Sequence, residues 1–153
     1  MIGLDIKVNQ NCNRDLIHKI LNGIEFKKYQ WHIYADQILY KENKKIKQGI
    51  FNSHVLSGEE FAKSISRKGY WFIFVDVKAY KVGCEGNEIN NFKDYINSNC
   101  ELVFLCTDSI YVEIYCKDKN LLETIYNNCA SDDFDSVQYI SYDEALGRNL
   151  IAF

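Results

Sequence analysis

The most reactive side chains in this 153-residue chain are six cysteines, three histidines and a few carboxylates inside apolar runs. The cysteines stand at 12, 84, 100, 106, 116 and 129, and no two share the C-x-x-C spacing of zinc knuckles or thioredoxin-type redox motifs. Three of them fall in one stretch, NCELVFLCTDSIYVEIYCKD, where two apolar runs flank a short polar turn. Register decides what they do, because a one-residue slip exchanges the two faces of a strand. If Thr107-Asp108-Ser109 is a three-residue loop, Cys106 pairs with Ile110, Phe104 with Val112, Leu102 with Ile114, and Cys100 with Cys116. One face is then wholly apolar. The other carries Glu101, Val103, Leu105, Tyr111, Glu113 and Tyr115, which suits solvent or a partner. A two- or four-residue loop would instead bury Val103, Leu105, Val112 and Ile114, sorting polar from apolar less cleanly. In the preferred register Cys100 and Cys116 face each other, near enough to consider a disulfide. A tetrahedral zinc site needs four ligands and the stretch holds no histidine, so reduced, buried thiols are the expectation.

Asp76 interrupts the apolar run FIFVDVKAY and is the best single candidate for a general base or ligand, with Glu113 second. The structural alternative is that Asp76 marks the strand leaving the core or pairs in the neighbourhood of Lys78. His18, His32 and His54 show no HExxH spacing, and no metal site is expected. Gly83-Cys84-Glu85-Gly86 is a GxxG loop without the GK[ST] ending of a phosphate loop, and reads as a turn. The acidic run 131–135 lacks the glycine and distant glutamate of a calcium loop. Lys41, Lys44, Lys45 and Lys47 form a basic run beside Tyr40, which makes weak RNA contact an alternative to a solvated loop. No GxSxG, SxxK or Cys/His catalytic signature is present, so the reading leans away from an enzyme.

The elements that would position these residues follow from periodicity. IGLDIK alternates as a strand. Asn11 or Asn13 can cap a helix over 14–22, stopped by Gly23. Tyr29 to Tyr34 and Ile38 to Lys41 look like a hairpin turning at Ala35-Asp36, followed by an exposed loop or frayed strand to Phe51. Ser57 and Glu60 fit a capping box opening a helix that Gly69 ends. YWFIFVDVKAY is the strongest strand and should be central. Helices are expected over 88–97 and 118–129, then a short strand from Val137 to Ile140, a second capping box at Ser141 and Glu144, and a last apolar run to Phe153. The fold class is α+β, with a mostly antiparallel sheet and helices packed mainly on one face. Residues 70–140 have the βαββαβ succession of a ferredoxin-like unit. A single domain over 1–153 is expected, a division into 1–69 and 70–153 being the alternative.

Composition narrows the classes. A chain of this length buries roughly 68–70% of its unfolded surface, so it needs no staples. Net charge is −3, which argues against a broad nucleic-acid surface. The N-terminus lacks the basic and apolar regions of a signal peptide, and no apolar run is long enough to span a bilayer. The expected location is therefore cytoplasmic, where six cysteines should be reduced thiols. Aromatic residues are 14% of the chain, enough to serve both a core and a binding face.

CELVFLCTDSIYVEIYCKDKNLLETIYNN and WFIFVDVKAY resemble a family of small uncharacterised proteins from Bacillus- and Clostridium-type bacteria. That family has a FxDLKAF-like strand before a helix, and a hairpin with an Asp-Ser turn leading into a KDK-type helix. The resemblance implies a bacterial cytosolic domain of unknown function, and it carries over no catalytic residues. The expectation for function is a non-enzymatic protein-binding or regulatory module, immunity-type in one version, without a cofactor. Its contact residues would be Tyr111, Glu113 and Tyr115 on the outer hairpin face, with Trp31 and Tyr34. An enzyme or small-ligand sensor around Asp76 is the rival reading. Exposed sheet edges also make a homodimer an expectation.

Overall fold

A computed structural model describes residues 1–12 and 14–152. Its strands are β1 (Gly3–Val8), β2 (Tyr29–Glu42), β3 (Lys45–Gln48), β4 (Val55–Leu56), β5 (Trp71–Lys81), β6 (Cys100–Thr107), β7 (Tyr111–Cys116) and β8 (Phe134–Ile140). Its helices are α1 (Leu16–Ile20), α2 (Gly58–Ile65), α3 (Phe92–Ile96), α4 (Lys119–Asn128) and α5 (Tyr142–Ala145). The strands form one eight-stranded antiparallel sheet in the order β3-β2-β5-β6-β7-β1-β8, with β4 pairing β2.

The ferredoxin-like arrangement is not what the sheet shows. The β-α-β-β-α-β succession runs along the chain, but β5 and β6 are direct antiparallel neighbours. Within that succession only β7-α4-β8 is a split unit, and the strand between its two strands is the N-terminal β1, antiparallel to both.

The two faces of the sheet are both covered, unequally. On the first, Leu4, Val77, Phe104 and Ile114 pack with Ile17 of α1, Phe61 of α2 and Ile125 of α4. On the second, Val103, Leu105 and Tyr115 lie under Phe92 and Tyr95 of α3, Ala145 of α5 and the tail residues Leu150 and Ala152. The longer helices therefore share one face, while short helices and the tail cover the middle of the other.

Local chemistry sets the element ends. Asp118 caps α4 through the amides of Asn120 and Leu121, and Ser141 with Glu144 completes a capping box on α5. Asp15 precedes α1 but caps nothing; its carboxylate accepts from the Gly69 and Tyr70 amides and ties the helix to the start of β5. Of the two asparagines expected to cap this helix, Asn11 lies in a short 3-10 turn and Asn13 lies outside the described residues.

Ala35-Asp36 is no turn: β2 runs unbroken alongside the eleven residues of β5, with one bulge at Tyr34 in β2 and one at Ile73 in β5. Asp36 instead accepts from the amides of Ile50 (3.3 Å) and Phe51 (3.0 Å), holding the returning chain. The turn comes at Asn43 and Lys44, both with positive φ (52° and 64°), as a tight two-residue hairpin requires. In the β6–β7 hairpin the loop is 108–110, so Thr107 pairs with Tyr111 and Leu102 with Cys116. This register is two residues from the expected one. A two-residue shift preserves parity, so the apolar face survives, but the cysteine pairing does not. Cys100 opposes Tyr80 in the second core, and Cys116 packs in the first.

Candidate functional site

Three strands at one end of the second face leave their side chains uncovered. The registers place Glu113, Asp5 and Gln138 in one row across β7, β1 and β8. Tyr111, Lys7 and Ser136 form the next row. Opposed residues of antiparallel strands point to the same side, so the six make a polar array two residues deep and three strands wide. They floor a surface groove of about 340 Å³. Tyr111 is half exposed (51%), a large aromatic surface standing over this floor.

Arg148 organises one edge of the array. It follows α5, where its carbonyl accepts from the Phe92 amide and its own amide donates to the Ala145 carbonyl. Its guanidinium donates to both carboxylate oxygens of Asp5 (2.7 and 2.9 Å) and to Oε2 of Glu113 (3.3 Å). This is a bidentate fork with a second acceptor, the geometry that arginine favours. The hydrogen bonds to Asp5 raise the guanidinium pKa further above its ordinary value. Tyr115 donates from below to the same Glu113 oxygen (2.5 Å). Burial is the main reason its phenol pKa is raised, so it stays a donor.

A second set of polar groups lies on the same face of β2 and β5, beneath the tail. Asp76 and Lys78 are both buried and form an ion pair at 2.6 Å. Ala152 donates its amide to the other Asp76 oxygen (3.4 Å). Burial raises the carboxyl pKa and Lys78 opposes that rise. The Lys78 ammonium sits 4.7 Å over the Tyr34 ring. His32 lies opposite Lys78 and meets Tyr80 edge-on at 4.6 Å. The His32 Nε2 atom is buried without a hydrogen-bond partner, and burial lowers the ring's pKa. Gly86 is pressed onto this ring, where a Cβ would lie 2.7 Å from Cε1. The GxxG loop is thus the cover over His32, and its second glycine is required by close approach.

The structure therefore separates the residues singled out from the sequence. Tyr111 and Glu113 stand together in the open array. Trp31 and Tyr115 do not reach the surface. Trp31 is fully buried, stacked on Phe61 at 4.0 Å with its indole N–H donated to the Phe26 carbonyl. Tyr115 is fully buried because α3 covers the part of the hairpin's outer face that was expected to meet solvent or a partner. Tyr34 is half exposed at 52%, far from Tyr111 along the sheet order. Asp76 is buried, at 2% exposure, in its ion pair with Lys78. In the lysine run, Lys47 contacts Glu42 at 3.5 Å, and Tyr40 is stacked under Arg67 at 3.7 Å, so its ring face is occupied.

Asp5, Lys7, Gln138 and Arg148 were not singled out from the sequence. Asp5 and Lys7 alternate within IGLDIK, which is signal enough to place them on one face. Arg148 stands 143 residues from Asp5 and has no local signal at all.

Four of the six free thiols are buried, and burial pushes Cys100, Cys116 and Cys129 up to about 12. Such thiols are inert. Among the described residues, no helix is long and apolar enough to cross a membrane.

Comparison with known proteins agrees with the resemblance in the hairpin and the central strand. A family described as protein of unknown function (DUF2691) matches residues 1–151. The uncharacterized protein YncE of Bacillus subtilis (strain 168) is 32% identical over 128 residues, covering 83% of this chain and 84% of that protein. No solved structure matches the chain. With nearly the whole length matched, the chain belongs to the DUF2691 family of proteins of unknown function.

Proposed function

We propose that this chain is a non-enzymatic module that binds another protein through the open polar array on β7, β1 and β8. The observation that supports this most is the groove itself. It combines a half-exposed aromatic, Tyr111, with hydrogen-bonding groups fixed on strands, as a binding surface needs. The carboxylates of Asp5 and Glu113 are already held by Arg148, and Lys7 adds a further positive charge. The surface therefore suits a partner segment that offers hydrogen bonds and one apolar side chain. A strongly basic partner, as in the immunity-type version, finds less to attract it. The buried, inert thiols support a reducing compartment such as the cytoplasm.

The test is affinity capture from lysate of a bacterium carrying the gene, comparing the wild-type chain with Tyr111→Ala/Gln138→Ala. The expected result is a stoichiometric protein that survives moderate salt on the wild type and is lost on the variant, with thermal unfolding unchanged. Equal capture by both chains would refute the assignment of the surface.

A further inference from the structure

The two edges of the sheet are defended differently. At one edge, β3 is four residues long, wholly exposed, and carries Lys45 and Lys47. Lysines on a short edge strand are a standard guard against pairing with another chain. At the other edge, β8 is seven residues long (FDSVQYI) and carries one charge, Asp135. Among the described residues, β8 pairs only with β1.

The hydrogen-bond alternation identifies which backbone groups of β8 are free. Val8 donates to the Ile110 carbonyl, and Cys116 donates to the Ile2 carbonyl. Even-numbered residues of β1 therefore bond to β7, and Gly3, Asp5 and Lys7 bond to Ile140, Gln138 and Ser136 of β8. The backbone N–H and C=O groups of Val137 and Tyr139 then point away from the sheet. Toward Phe134 the alternation is broken by a bulge opposite Lys7 and Val8, which ends the regular edge.

We infer that β8 pairs with β8 of a second copy of this chain, antiparallel about a two-fold axis at Gln138, to make one continuous sheet. This register satisfies the outward groups of both copies, since Val137 of each strand meets Tyr139 of the other. It is also self-complementary in side chains. On the first face it makes aromatic–β-branched pairs, which are favourable across strands. On the second face Gln138 meets its own copy, and two amide side chains can each donate and accept. The row Glu113, Asp5, Gln138 then continues into the same row of the partner in reverse order. The inference concerns the edge and holds whether or not the array binds another protein.

Sedimentation velocity over a dilution series tests it, with two kinds of variant. The wild type is expected to dimerise as concentration rises. Val137→Pro is expected to stay monomeric, because its lost N–H points outward and the β1 ladder is untouched. In a background with the half-exposed Cys12 and Cys84 changed to serine, Gln138→Cys is expected to cross-link to a covalent dimer on mild oxidation. A non-hydrogen-bonded pair on the axis puts the Cα atoms about 4.5 Å apart, within disulfide reach. Ser136→Cys, which faces Ile140 of the other strand, is expected not to cross-link. A wild type that stays monomeric throughout would overturn the inference. So would a folded Val137→Pro that still dimerises, or equal cross-linking by both cysteine variants.

Discussion

The same face of one sheet carries two ion-pair assemblies. One, Asp76 with Lys78, is closed over by the tail, with both side chains at 3% exposure. The other, Asp5 and Glu113 with Arg148, keeps 29–41% of each side chain in solvent. The chemistry is alike, but the physics differs. A buried pair must offset a desolvation cost of several kcal/mol per ion, so losing one member strands an uncompensated charge. A half-exposed pair is screened and holds little of the fold's stability. Its residues are free to be spent on recognition. The covered half of this face is thus structural, and the open half is where binding is proposed.

The largest effect should come from Lys78→Met, which leaves Asp76 buried without its counter-charge. A loss of about 3–5 kcal/mol in urea unfolding is expected, and Asp76→Leu/Lys78→Met should recover most of it. If the double variant is no better than the single one, the coupling between the two is absent. Leu150→Ala, in the tail that seals the pair, should cost about 3 kcal/mol by the cavity it leaves. A negligible change would show that the tail is not packed as described.

His32 gives a pH signature. Burial lowers its pKa from 6.5, so the neutral ring stabilises the fold above the unfolded value. That stability is lost as pH falls through the lower folded value. The midpoint of thermal unfolding should therefore drop as pH falls below the unfolded value of 6.5, and His32→Phe should flatten that part of the profile. An unchanged slope in the variant would contradict it. The smallest effect belongs to the open half: Tyr111→Ala should alter stability by no more than about 0.5 kcal/mol while abolishing capture of the partner.

Much of this contrast was legible from residue types, and its gaps have physical causes. Asp76 and Lys78 are two apart on a strand, so alternation alone puts them on one side. The parity of the β6–β7 hairpin was readable because one parity sorts polar from apolar. The exact register was not, since a shift of two keeps every side chain on its face. Ala35-Asp36 resembles a turn by residue type. Asp36 is instead a strand residue whose carboxylate serves the chain returning from β3, a contact no local pattern reveals. The burial of Tyr115 depends on α3 and the tail, and the anchoring of Asp5 depends on Arg148 from the other end of the chain.

The most direct test of the division between the two halves is urea unfolding of Lys78→Met and Arg148→Met side by side. Arg148→Met should lose about 1 kcal/mol or less, as half-exposed pairs do, against the several lost by Lys78→Met. If Arg148→Met is destabilised as strongly as Lys78→Met, the array is a structural element like the buried pair, and the binding role proposed for it loses its physical basis.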